Sequence, residues 1–175
     1  RHKHIYSIWK RCVKDLAILS AVIAVYIYIA TTIAGICIKR KIYNWEDEAS
    51  TCYSAIHMPC EAAPSFALIS AVFILQAFAV IFVMGLIMLA VWWITDKKWA
   101  GYLAAMVIVS VEYYDADGAI STGLLWRKYV MTYSVYKKGI LLGKNILMPI
   151  AVCIAMLLVT SLIVRLKKKE FINSR

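Results

Sequence analysis

Four long stretches of this chain carry no charged side chain, and their spacing sets its architecture. The longest runs from Phe66 to Ile94, 29 residues with Gln76 as the one strongly polar side chain. That is far beyond the roughly 18 apolar residues that mark a transmembrane helix. A turn written Thr95-Asp96-Lys97-Lys98 follows, and then a second apolar segment from Trp99 to Val111. Trp92, Trp93 and Trp99 bracket the turn. Amphipathic rings settle at the headgroup level, and two lysines are the positive charge expected of a short cytoplasmic loop. The pattern predicts a membrane hairpin with its turn in the cytoplasm, and alternation from this hairpin orients every other segment.

Leu16 to Ile38 is uncharged for 23 residues, about 34 Å as a helix and long enough to span. Gly35 and the small residues Ala17, Ser20, Ala21, Ala24, Thr31 and Thr32 suit close helix packing in lipid. Ahead of this span, Ile5, Ile8, Trp9 and Cys12 fall at i, i+3, i+4 and i+7 among Arg1, Lys3, Lys10, Arg11 and Lys14. A helix over residues 1–15 would lay an apolar face on the membrane surface and hold its basic face in water. The same face could equally dock a cytoplasmic partner. Trp99 to Val111 is short, 13 residues before Glu112, about 20 Å as a helix. Either Glu112-Tyr113-Tyr114 continues it to residue 114, or it ends within the membrane and hands over to a re-entrant element. The semi-polar, aromatic stretch that follows, 115–145, favours the second and predicts short helices at the outer interface. Ile146 to Val164 is the last span, with Pro149 in its first turn, where proline costs a helix least. Arg165, Lys167, Lys168 and Lys169 stop it on the cytoplasmic side by snorkelling to headgroups.

The expectation is one all-α transmembrane domain over residues 1–175. It is a polytopic helix bundle of about four spans, 16–38, 66–94, 99–114 and 146–164. An interfacial helix at 1–15 and outer segments at 39–65 and 115–145 complete it, the last re-entrant or interfacial. Both termini are expected in the cytoplasm of a multi-pass cell-membrane protein.

Composition agrees: 63% of residues are hydrophobic and the mean hydropathy is +0.73, against roughly 45–50% apolar for a soluble domain. The net charge of +10 raises the question of nucleic acid, but the cations sit at the ends of apolar segments and no recognition-module pattern occurs. On the expected topology 12 of the Lys and Arg lie inside and 8 outside, a modest positive-inside bias. The chain opens Arg1-His2-Lys3-His4 without a Met, and its first apolar segment is too long for a signal peptide. It reads as a fragment of a longer protein.

Cys12, Cys37 and Cys153 sit in or beside apolar segments, as small apolar residues do. Cys52 and Cys60 stand in the outer segment and are a candidate disulfide, worth about 2–3 kcal/mol if unstrained. With His57 they make an incomplete zinc set, so no metal site is expected. The nearest approach to a phosphate-binding loop, Gly139-Ile-Leu-Leu-Gly143-Lys144-Asn145, has three residues between its glycines where four are needed, and Asn where Ser or Thr meets magnesium. No zinc-protease, serine-hydrolase or paired-carboxylate pattern appears, and no catalytic residue is assigned. Glu112 is the one candidate for an ionisable group within the membrane, a functional hypothesis because burying charge in lipid is expensive. The alternative reading is that Glu112, at the end of a span, simply touches water.

This order of elements resembles the later part of an ABC-2 type permease, the membrane subunit of bacterial ABC exporters. The features that carry the resemblance are the basic, aromatic start Arg1 to Lys14, the span after it, the tight hairpin Trp92 to Trp99, the broken outer segment, and the last span ending Arg165-Leu-Lys-Lys-Lys-Glu170-Phe171. Such permeases commonly have six spans, and the four here look like the last four. The resemblance implies export of a peptide, drug or lipid-like substrate. It implies no cofactor in this chain, ATP and magnesium being held by a separate cytoplasmic ABC ATPase. It also implies a homodimer or heterodimer with a second permease, contact with membrane lipid, and no nucleic-acid partner. ATPase docking would fall on Arg1, Lys3, Tyr6, Trp9, Lys10 and Arg11. The pathway or gate would include Glu112, Tyr113, Tyr129 and Tyr133, with re-entrant helices over Gly118 to Tyr136. The alternatives are a four-helix thiol-disulfide oxidoreductase using Cys52 and Cys60, which lacks a Cys-x-x-Cys, or an accessory membrane subunit.

Overall fold

The computed structural model describes residues 2–40, 66–114 and 146–173. It contains four helices: α1 (His2–Lys39), α2 (Phe66–Thr95), α3 (Lys98–Tyr114) and α4 (Met148–Asn173). Among the described residues there is no strand. Three of the helices are long and apolar enough to cross a membrane, and the chain is a multi-pass membrane protein. The fourth, α3, has 17 residues and covers about 25 Å, short of the roughly 30 Å hydrocarbon core.

The expected division between an interfacial helix at 1–15 and a span from residue 16 does not occur. α1 is one helix of 38 residues, about 57 Å long. Its first turns stand beyond the span as a direct extension of it. No proline or glycine lies between His2 and Ala34, so nothing in the chain breaks the ladder where the charge ends and the apolar run begins. The hydroxyls of Ser20, Thr31 and Thr32 are absorbed by its own backbone. Ser20 Oγ donates to Leu16 O at 2.8 Å and Thr32 Oγ1 to Tyr28 O at 2.8 Å, which removes the cost of a bare hydroxyl in lipid.

α2 is the central helix and touches the other three. It is apolar all round, as a lipid-embedded core helix is. Six of its buried positions are nonetheless regular: Val72, Gln76, Ala79, Val83, Leu86 and Ala90 follow one another at steps of four and three, with Phe82 and Leu89 buried beside them. That is the seam of left-handed helix packing. Glycines let neighbours approach it. A Cβ on Gly85 would collide with the Leu16 side chain of α1, and a Cβ on Gly101 of α3 would lie 2.6 Å from the Met88 carbonyl oxygen of α2.

α1 and α2 run antiparallel. At one end Trp9 packs with Leu89, and at the other Tyr28 Oη and Ser70 Oγ are hydrogen-bonded at 2.8 Å, with the Tyr28 and Phe73 rings 6.2 Å apart. The helix ends follow a common rule. Arg40 and Asp96 both adopt the left-handed conformation, φ 54° and 57°, and return their amides to Ile36 O and Trp92 O at 2.7 and 2.8 Å. This is the closing residue that glycine more often supplies, and Asp is among the side chains that tolerate it. α2 therefore stops abruptly at Thr95, and α3 starts at Lys98 after two intervening residues. α3 continues through Glu112 to Tyr114, the end given to this span in the sequence, and the re-entrant element expected after it lies outside the described residues. α4 runs past the apolar span through its basic cluster to Asn173.

Candidate functional site

The chemistry-bearing side chains of the described residues gather at the hairpin end of the bundle. Trp9 of α1, Leu89 of α2 and Val164 of α4 form a buried cluster, with Ile5, Tyr6, Cys12, Val13, Trp92 and Trp93 packed around it. The first turns of α1, the α2–α3 turn and the cytoplasm-assigned end of α4 thus share one end of the molecule. Lys167 of α4 pairs with Asp96 in the turn.

Cations and rings alternate here. Tyr6 and Trp9 stack with centroids 5.2 Å apart. Lys10 lies 5.0 Å from the Tyr6 ring centre, Lys97 5.8 Å from Trp99 and Lys98 5.6 Å from Trp92. All are within the roughly 6 Å reach of a cation–π contact. The arrangement suits a headgroup layer, where rings face the apolar side and cations the phosphates. Two indole donors, Trp9 Nε1 and Trp93 Nε1, are buried without an acceptor among the described residues. Among the described residues of this end, no nucleophile is paired with a base.

The docking residues expected from sequence are divided by this packing. Trp9 is turned inward, 8% exposed, and Tyr6 is half-buried against it. The apolar face of α1 is covered by α2 and α4, not by the membrane surface, so Trp9 offers no free face to a partner. Lys10, Arg11 and Lys14 are exposed, as is Ile8, which the helical spacing had placed on the covered face. Arg1 and the side chain of Lys3 lie outside the described residues. Glu112 and Tyr113 belong to the last turn of α3, their side chains outside the described residues. Tyr129, Tyr133, Cys52, His57, Cys60 and the stretch Gly139 to Asn145 also lie outside. Cys12, Cys37 and Cys153 are free thiols.

Sequence reading passed over the functional weight of Gln76. It is 3% exposed, and neither its Nε2 nor its Oε1 finds a partner among the described residues. Its isolation in a 29-residue apolar run was visible, but which face of α2 would be covered was not.

No protein-family model, curated protein or solved structure matches the chain. The fold by itself defines a class: a multi-pass, all-helical membrane protein whose hairpin end is aromatic and basic.

Proposed function

We propose that this chain is the membrane subunit of an ABC exporter of the ABC-2 type, moving a peptide, drug or lipid-like substrate under the power of a separate ATPase. The observation that carries the reading is the shared end of the bundle. The exposed Lys10, Arg11 and Lys14 stand on a helical extension beside the α2–α3 turn. This is a basic surface joined rigidly to a span, as a docking element for a cytoplasmic motor must be. On this reading the hairpin end is cytoplasmic, in line with its lysines, and both termini lie on that side. Docking rests on the exposed cations of α1 and on Ile8, while Trp9 holds the extension in place from beneath.

Extraction of the chain in mild detergent from its native membrane, with a C-terminal tag, tests this directly. Mass spectrometry should find a stoichiometric partner bearing a Walker-type ATP site. Intact chain recovered without any ATPase would overturn the reading.

A further inference from the structure

Between α1, α2 and α3 runs an open groove of about 810 Å³, a volume in the range of pockets that hold one small molecule, roughly 300–1,000 Å³. Among the described residues, Asp15 and Lys98 are the two charged members of its walls, and the helix register sets them at different depths. Leu16 packs on Gly85, and Gly101 on the Met88 carbonyl. Counted from these contacts along antiparallel helices, Asp15 of α1 and Tyr102 of α3 stand level with about residues 86–87 of α2, and Lys98 with about residue 91. The groove extends along α2 from Trp92 to Val80, about 18 Å at helical rise. Asp15 and Tyr102 thus face each other halfway along it. Asp15 lies about 9 Å deeper than Trp92, whose ring marks the headgroup level.

A carboxylate at this depth is costly without a partner. Asp15 is open to the groove, and among the described residues it makes no ion pair. Lys98 sits nearer the headgroups with its ammonium over the Trp92 ring, 5.6 Å from the centre. Arg11 and Lys14, beside Asp15 on α1, are not part of the lining. Tyr102 brings an aromatic ring to the opposite wall, and a cation that meets both a carboxylate and a ring face is attracted by each. Between the two walls lie Met84 and Met88, flexible thioether side chains that adapt to ligands of different shape. Toward Leu19 and Val80 the lining is aliphatic. This order fits a cation attached directly to an apolar body. A phospholipid amine does not fit, because it would draw its own phosphate below the headgroup level.

We propose that the groove binds one hydrophobic organic monocation, a quaternary ammonium or phosphonium in class. Its charge lies between Asp15 and Tyr102, and its apolar body runs over Met84 toward Leu19 and Val80. The site is present in the chain alone, so binding needs no ATPase and stands apart from the exporter reading.

The test uses tetraphenylphosphonium and tetraphenylborate, which share size and shape and differ in the sign of their charge. Each is measured by equilibrium dialysis of the purified chain in dodecyl maltoside against protein-free micelles. Phosphonium should saturate at one per chain. Asp15→Asn should weaken it about fivefold to tenfold, the scale of one ion pair in a part-dry groove, and Asp15→Glu should keep most of the affinity. Tyr102→Leu should weaken it about threefold. Met84→Trp, which fills the groove, should abolish binding while helix content by circular dichroism is unchanged. No saturable uptake of phosphonium, borate bound as tightly by the unaltered chain, or full phosphonium affinity in Asp15→Asn would overturn the proposal.

Discussion

Lys167 and Asp96, 71 positions apart, form an ion pair that joins the end of α4 to the turn between α2 and α3. Asp96 is 82% exposed, so the pair is screened by water and contributes at most about 1 kcal/mol. Its value is as a marker of position. A carbodiimide, which couples a carboxylate to an adjacent amine without a spacer, should link these two residues. Peptide mass spectrometry should find the cross-link in the unaltered chain and lose it in Asp96→Asn. Its absence from the unaltered chain would separate α4 from the hairpin.

The two glycines of known surroundings in α1 and α3 should behave oppositely. A Cβ at Gly101 meets the Met88 backbone carbonyl, which cannot swing aside, whereas at Gly35 it meets nothing within 4 Å. Gly101→Ala should cost about 1–3 kcal/mol, the usual penalty of overpacking, and lower the thermal midpoint in detergent. Gly35→Ala should leave it in place. Equal midpoints for both variants would contradict the close approach of α3 to α2.

Trp9 and its cationic neighbours separate support from docking. Trp9→Ala removes the centre of the cluster with Leu89 and Val164 and should destabilise by about 3–5 kcal/mol. If the chain is the exporter subunit proposed above, replacement of Lys10, Arg11 and Lys14 together by Glu should leave the melting curve unchanged and release the proposed ATPase partner from the purified chain. A triple variant that keeps a full complement of ATPase would remove docking from this face.

Gln76→Leu should stabilise the bundle. The substitution keeps the volume while removing a buried amide with no partner at either end, and an unsatisfied buried polar group costs about 1–3 kcal/mol. Resistance to unfolding by added dodecyl sulfate should rise. A fall would mean that the amide is bonded within the membrane by a group other than this chain's described side chains.

The spans were legible because lipid imposes its demand residue by residue: an uncharged run of sufficient length is readable wherever it sits. α2 starts and ends close to where its apolar run does, and α4 starts close to its own, with Pro149 in its first turn, but runs nine residues past Val164. The face of the first turns of α1 was harder. Helical spacing grouped Ile5, Ile8, Trp9 and Cys12, yet Ile8 is 51% exposed while Tyr6 and Val13 join the covered side. Spacing gives a helix a stripe, but the centre of the stripe is set by what covers it. Here the cover is Leu89 and Val164, 80 and more positions away.

The unbroken course of α1 makes it a rod with handles at both ends. A force on Lys10 is not absorbed by a hinge before Gly35, since no residue in between loosens the helix. Rotation or tilt imposed at the basic end arrives as the same rotation at Tyr28, where the ring bears on Ser70 and Phe73 of α2. Events at one membrane face are thereby geared to the packing at the other by a single piece of secondary structure.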